Sequence, residues 1–206
     1  MADADDFELL QAWRDGDNAA GNALFDRHFD ALYRFFRNKV AQGAEDLVQQ
    51  TFLACVQARD RFRGDSSFRT YLFTAARSKL YTLLDKRRRE GERIDWGVTS
   101  CADLGISPTG ILAKNEEQRL LLLGLRQLPV DLQVALELFY FEQLRGPELA
   151  QVLEIPEGTV RSRLRRGQEL LREHLARLAA NPAQVESTMG DLEGWARGLR
   201  EDVLHR

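Results

Sequence analysis

Apolar positions recur at helical spacing through most of the chain. Phe7, Leu10 and Trp13 open a short amphipathic segment. Leu24, Phe25, Phe29, Leu32, Tyr33 and Phe36 form a second stripe, and Leu47, Val48, Phe52, Cys55 and Val56 a third. Gly64, Ser66 and Ser67 interrupt the pattern, and either serine can cap the helix that follows. That helix carries Phe68, Tyr71, Leu72, Ala75, Ala76, Leu80, Leu83 and Leu84 and runs into the basic stretch "DKRRRE". Four helices are predicted within residues 5–90, enough for one compact apolar core.

Residues 91–114 change character. They hold glycines, Pro108 and mixed polarity with no sustained period, and read as a flexible linker. Helical period returns within residues 115–178, broken at Leu128-Pro129, Gly146-Pro147 and Ile155-Pro156. This is a second domain of short helices ending in a longer one. The pattern as a whole predicts an all-α chain of two small helical domains, the second containing a helix-turn-helix. In residues 179–206, Val185, Met189, Leu192, Trp195 or Ala196, Leu199 and Val203 form a further stripe. Gly190, Gly194 and Gly198 fall in the same segment, and each interior glycine costs a helix about 1 kcal/mol. Such a helix needs a surface to lie on. The extension is therefore expected to dock on one of the two domains and to regulate it.

Charge changes this picture more than composition does. The formal net charge of the 206 residues is only −3, yet base concentrates in two places, at "DKRRRE" and between Arg161 and Arg172. Two separated basic clusters suggest two contacts with a polyanion. Cys55 and Cys101 lie far apart in no metal-ligand spacing, and His28, His174 and His205 are scattered. There is no Walker-type glycine loop, so neither an enzyme nor a bound cofactor or metal is expected. No apolar run is long enough to span a bilayer, and the acidic start "MADADDFELL" lacks a signal-peptide core. The expected compartment is the cytoplasm.

The densest chemistry is "IPEGTVRSRLRRG", with four arginines in six positions. Pro147 can start one helix, Glu154-Ile155-Pro156 turns the chain, and a second helix starts near Glu157. Val160, Leu164, Gly167 and Leu171 share one stripe, and Ala150 allows close approach of the two helices. Thr159, Arg161, Ser162, Arg163, Arg165 and Arg166 then lie on the polar arc. This is helix-turn-helix spacing, and arginine both reads guanine edges and grips phosphate. Glu154 stands where the turn commonly takes a glycine, at a cost of about 1 kcal/mol if the left-handed geometry is kept.

"AEDLVQQTFLACVQARDRFRGDSSFRTYLFTAARSKLYTLLDKRRR" resembles region 2 of the sigma-70 family, in its extracytoplasmic-function (group 4) branch. "LPVDLQVALELFYFEQLRGPELAQVLEIPEGTVRSRLRRGQELLREHL" resembles region 4 of the same branch. The resemblance implies a sigma factor: a subunit that binds core RNA polymerase, directs promoter recognition and duplex opening, and has no active site. It assigns Glu45, Asp46, Leu47, Gln49, Gln50 and Phe52 to the β′ clamp contact, and region 4 to the β flap. It assigns Phe62, Arg63, Phe68, Arg69, Tyr71, Arg77, Lys86, Arg87 and Arg88 to the −10 element of promoter DNA. Opened single strand is held by basic grooves and aromatic platforms, and these residues supply both types. The recognition-helix set above is assigned to the −35 element. The alternative is a stand-alone helix-turn-helix regulator.

One departure bears on control. Gly43 and Gln50 stand where acids are common in the clamp-binding helix. Thr51 is adjacent, and a phosphate there would add about −1.5 to −2 charge. A Ser/Thr kinase acting on Thr51 and an anti-sigma factor are the two regulators the resemblance suggests.

Overall fold

The structure is a computed structural model that describes residues 4–59, 66–86, 95–104 and 115–201. Four helices form the N-terminal domain: α1 (Asp6–Arg14), α2 (Asn18–Arg37), α3 (Ala44–Ala58) and α4 (Phe68–Lys86). Asp5 caps α1 in a reciprocal capping box with Glu8, and Asp17 caps α2. Ser67 accepts the Thr70 amide at the start of α4, so the second of the two candidate serines is the cap. α3 starts differently. Gly43 precedes it at φ 81, with no side-chain cap. The acid common at that place in the family would be strained there, and glycine is not.

The C-terminal domain comprises α5 (Glu116–Arg126), α6 (Val130–Tyr140), α7 (Gly146–Leu153) and α8 (Glu157–Leu178). α6 and α7 both pack on the long α8. At Gly167 a methyl group would sit 3.1 Å from Leu136, so glycine lets α6 and α8 close on one another. The extension is two helices rather than one, α9 (Pro182–Gly190) and α10 (Leu192–Glu201), broken at Asp191. Both lie on the C-terminal domain, α9 against α5 and α8, and α10 against α5 and α6.

The two domains share an interface. One apolar cluster joins Phe36, Leu72, Phe73, Ala76 and Leu80 to Val134, Leu138, Leu149 and Leu153, with α4 packed on α7. A second cluster joins Leu121, Leu125, Leu136, Phe141, Leu171 and Leu175 to Val185, Leu192 and Ala196 of the extension. The C-terminal domain is thus apolar on two sides, and each side is covered by another part of the chain.

Part of the linker belongs to this interface. Thr99 accepts the Val130 amide, Ser100 pairs with Pro129, and the Trp96 ring stacks on Tyr81. Cys101 is fully buried, its thiol against the Lys39 carbonyl. Burial pushes that thiol up to about 11 and the Cys55 thiol up to about 12. Neither cysteine forms a disulfide. Among the described residues no helix is long and apolar enough to cross a membrane, and no cluster of His, Cys, Asp and Glu could hold a metal.

Candidate nucleic-acid and polymerase interface

The helix-turn-helix is α7 and α8. Leu149, Val152, Leu153 and Val160 are buried between them. Glu154 has φ 55 and ψ 42, the left-handed geometry the turn requires, held on a residue with a Cβ. Its carboxylate reaches Arg77 of α4 at 2.7 Å, which accounts for glutamate at a glycine position. Replacing Glu154 with Gly should keep the turn, change the domain's unfolding free energy by no more than about 1 kcal/mol, and free Arg77. Denaturant unfolding of the variant checks the first two.

Past the turn, Thr159, Arg161, Ser162, Arg165 and Arg166 are all exposed on one side of α8. Arg163 is half-buried and paired with Asp131 at 3.4 Å. An open groove separates this edge from the Gly97–Val98 turn of the linker, lined by Thr159, Ser162, Arg163 and Arg166. The sequence-predicted set therefore stands together, with Arg163 half-buried against Asp131 and Arg165 in an exposed pair with Glu169.

The N-terminal domain presents two faces. On α3, Glu45, Asp46, Gln49 and Gln50 are exposed, with Leu53 and Val56 beside them at 54% and 44% exposure. Sequence periodicity puts Val56 in the core, and the structure turns it outward onto this face. Leu47 is buried, so it does not present its side chain to a partner as expected, and Phe52 is half-buried and stacked on Phe25. Thr51 is fully buried, its hydroxyl donating to the Leu47 carbonyl at 2.7 Å. Thr51 follows Gln50 in sequence but points into the domain. Added charge there would not simply extend the exposed acidic face.

On α4, Phe68 is buried beside His28, so it is a core residue and not a platform for a base. Tyr71 is half-buried, and Lys86 is exposed. Phe62, Arg63, Arg87 and Arg88 lie outside the described residues. Arg69 and Arg77 point across the interface into carboxylates of the C-terminal domain. Arg69 meets Glu142 at 3.1 Å and Arg77 meets Glu154. Sequence reading named Arg69, Arg77 and Glu154 but not these pairings, and it missed Glu142. Glu142 also takes both Nε and Nη2 of Arg34. Glu137 accepts from Asn38, Gln133 and Lys39, and both Lys39 and Glu137 are buried. Tyr81 donates to Asp131. In this closed arrangement Arg69 and Arg77 are both paired with carboxylates across the interface.

Residues 24–90 match the family described as Sigma-70 region 2, and residues 118–171 match Sigma-70, region 4. The chain belongs to the sigma-70 family, in its extracytoplasmic-function branch. It is 29% identical over 172 residues to the ECF RNA polymerase sigma-E factor of Escherichia coli strain K12, covering 79% of this chain and 90% of that one. It is 29% identical over 175 residues to the sigma-E factor of Haemophilus influenzae, covering 81% and 93%. Among solved structures, CnrH in complex with the cytosolic domain of CnrY matches with a TM-score of 0.64 at 24% identity, covering 84% of this chain and 99% of that one. The sigma factor RpoE in complex with the anti-sigma factor NepR from Bartonella quintana matches with a TM-score of 0.54 at 27% identity, covering 71% and 90%. As a sigma factor the chain is a transcription initiation factor that directs promoter recognition. The stand-alone regulator has no use for a complete region 2, and that reading is set aside.

Proposed function

We propose that this sigma factor acts in the cytoplasm, docks on the β′ clamp of core RNA polymerase through α3 and on the β flap through region 4, and reads promoters with two separated surfaces. The −35 element is bound by the exposed arc of α8, with Arg161, Arg165 and Arg166 as principal contacts. The −10 element is bound by Arg69, Tyr71, Arg77 and the basic end of α4. The observation that carries this reading is the pairing of Arg69 and Arg77 with carboxylates across the interface. Cations built to hold phosphate are satisfied by acids while no nucleic acid is bound. Docking on polymerase separates the domains and exchanges those acids for DNA. Two contacts held at a fixed spacing then gain from effective concentration. An anti-sigma factor, as in the RpoE complex, would act by keeping the two surfaces unavailable.

The α3 contact has a direct test. Glu45 and Asp46 are exposed in the first turn of the helix. Glu45→Lys with Asp46→Lys should weaken core binding at least about tenfold, since like-charge juxtaposition at an interface costs several kcal/mol. Titration of labelled protein with core polymerase measures this, and unchanged affinity would remove α3 from the contact.

Phosphorylation of Thr51 enters as a second layer on the same surface. A phosphate dianion cannot remain where Thr51 now lies, because burying unpaired charge is too costly. The kinase would need α3 to loosen, and the phosphate would then hold the residue outward beside Gln50 and Asp46. The missing acids of the clamp-binding face would be supplied in this way. A Thr51→Glu variant that bound core no better than the unmodified chain, together with a Thr51→Ala variant fully active in cells, would end this proposal.

A further inference from the structure

The C-terminal extension reaches the interdomain contact through one turn. α6 ends at Tyr140, and its last carbonyls have no partner within the helix. Arg200 of α10 supplies one, donating from Nη1 to the carbonyls of both Tyr140 and Phe141 at 2.9 Å. Immediately after comes Glu142, the residue that takes Arg34 and Arg69. Gln143 follows at φ 55, a left-handed conformation on a residue other than glycine. Such backbone is kept only where the surroundings impose it. On the far side of the turn, Arg145 lies over the Phe139 ring and faces Glu193 of α10 at 3.9 Å. The extension thus touches both ends of the segment that carries Glu142.

The seat of α10 is specific. Ala196 is fully buried, and Leu192 closes one side of a small cavity against Leu121, Leu125, Leu136, Phe141 and Leu171. The hold is also weak by design of its sequence. Gly194 and Gly198 lie inside a helix of ten residues, too short and too glycine-rich to persist without its seat. α10 therefore depends on its seat for its helical order.

We propose that α9 and α10 form an internal brace for the closed state. The brace fixes the turn at residues 140–145 in the shape that delivers Glu142 to the arginines of region 2. Its release loosens that contact and frees region 2 for nucleic acid. This rests on the reading of Arg69 as a DNA contact, but the opening of the interface can be measured without DNA.

Cys101 provides the measurement. It is buried between the domains, and alkylation of its peptide, followed by mass spectrometry, reports opening of the full-length chain. Arg200→Ala should speed alkylation of Cys101 by about fivefold or more, the low end of coupling between linked sites, and leave Cys55 unchanged. Glu142→Gln should do the same, and the double variant should not exceed the larger single effect, because both act through one contact. Arg200→Lys, which can still donate to a carbonyl, should stay closer to closed. Ala196→Glu evicts α10 by a different route and should match Arg200→Ala. Unchanged alkylation in both Arg200→Ala and Ala196→Glu would overturn the brace, as would full additivity with Glu142→Gln. A short mixed-sequence single strand at low ionic strength separates the two ideas. Variants that open but bind it no better leave the brace standing and remove Arg69 and Arg77 from the DNA contact.

Discussion

Replacing Glu137 with Ala should drive the two domains apart. Glu137 and Lys39 pair in the interface with almost no exposure to water, and Lys39 also donates to the Phe35 carbonyl. Removing one partner of a buried ion pair leaves the other charge stranded, at about 3–5 kcal/mol. Here the chain has a way out. Lys39 belongs to one domain and Glu137 to the other, so separation returns the ammonium to water. The closed state should lose about 100-fold to 4,000-fold in population relative to the open one. Alkylation of Cys101 should accelerate by a comparable factor, while Cys55, inside region 2, stays protected. Burial holds both thiols protonated at neutral pH, so the contrast between them reads exposure. Lys39→Met with Glu137→Gln should restore much of the closure, since no charge is left buried and the amide oxygen still accepts from Asn38 and Gln133. If Glu137→Ala labelled Cys101 no faster than the parent chain, this ion pair would not hold the two domains closed.

The second large effect concerns the recognition helix. Arg161, Arg165 and Arg166 are exposed on α8. Changing any one to Ala should cost about 1–3 kcal/mol of promoter binding if it reads a base. The three together should abolish dependence on the −35 element. The salt dependence sorts their roles: a phosphate contact lowers the slope of log K against log[salt] by about 0.9, whereas a base contact relaxes sequence preference instead. Arg163 should matter less, because Asp131 of the same domain holds it. A triple variant that still protected the −35 region on a promoter would move recognition off α8.

Much of this was legible in the residues, and the exceptions have identifiable causes. The four N-terminal helices, the break before α4 and the left-handed turn at Glu154 follow from local patterns: period, cap and turn chemistry. Phe68 was harder. α4 packs on α3 on one side and α7 on another, so its apolar positions wrap widely, and a stripe cannot say which aromatic faces solvent. Val56 and Phe52 show the same ambiguity on α3. The interface itself leaves no periodic trace. Glu137 and Glu142 sit in the otherwise apolar "LQVALELFYFEQL", and their partners Lys39, Arg34 and Arg69 lie some seventy to a hundred residues earlier. Acids inside an apolar run were the available signal, since buried carboxylates must be paired. The extension read as one stripe because Val185 through Ala196 keep helical spacing, although Gly190 and Asp191 break the backbone between α9 and α10.

The central claim is that this chain confers promoter specificity on RNA polymerase. The most direct test is reconstituted transcription with bacterial core enzyme on a library of promoter-like templates, with and without the protein. The account predicts transcripts that depend on the protein and start downstream of two shared sequence elements, lost when Arg161, Arg165 and Arg166 are replaced. Duplex binding by the protein alone, with no core binding and no dependent transcript from either the parent chain or the Glu137→Ala variant, would contradict it.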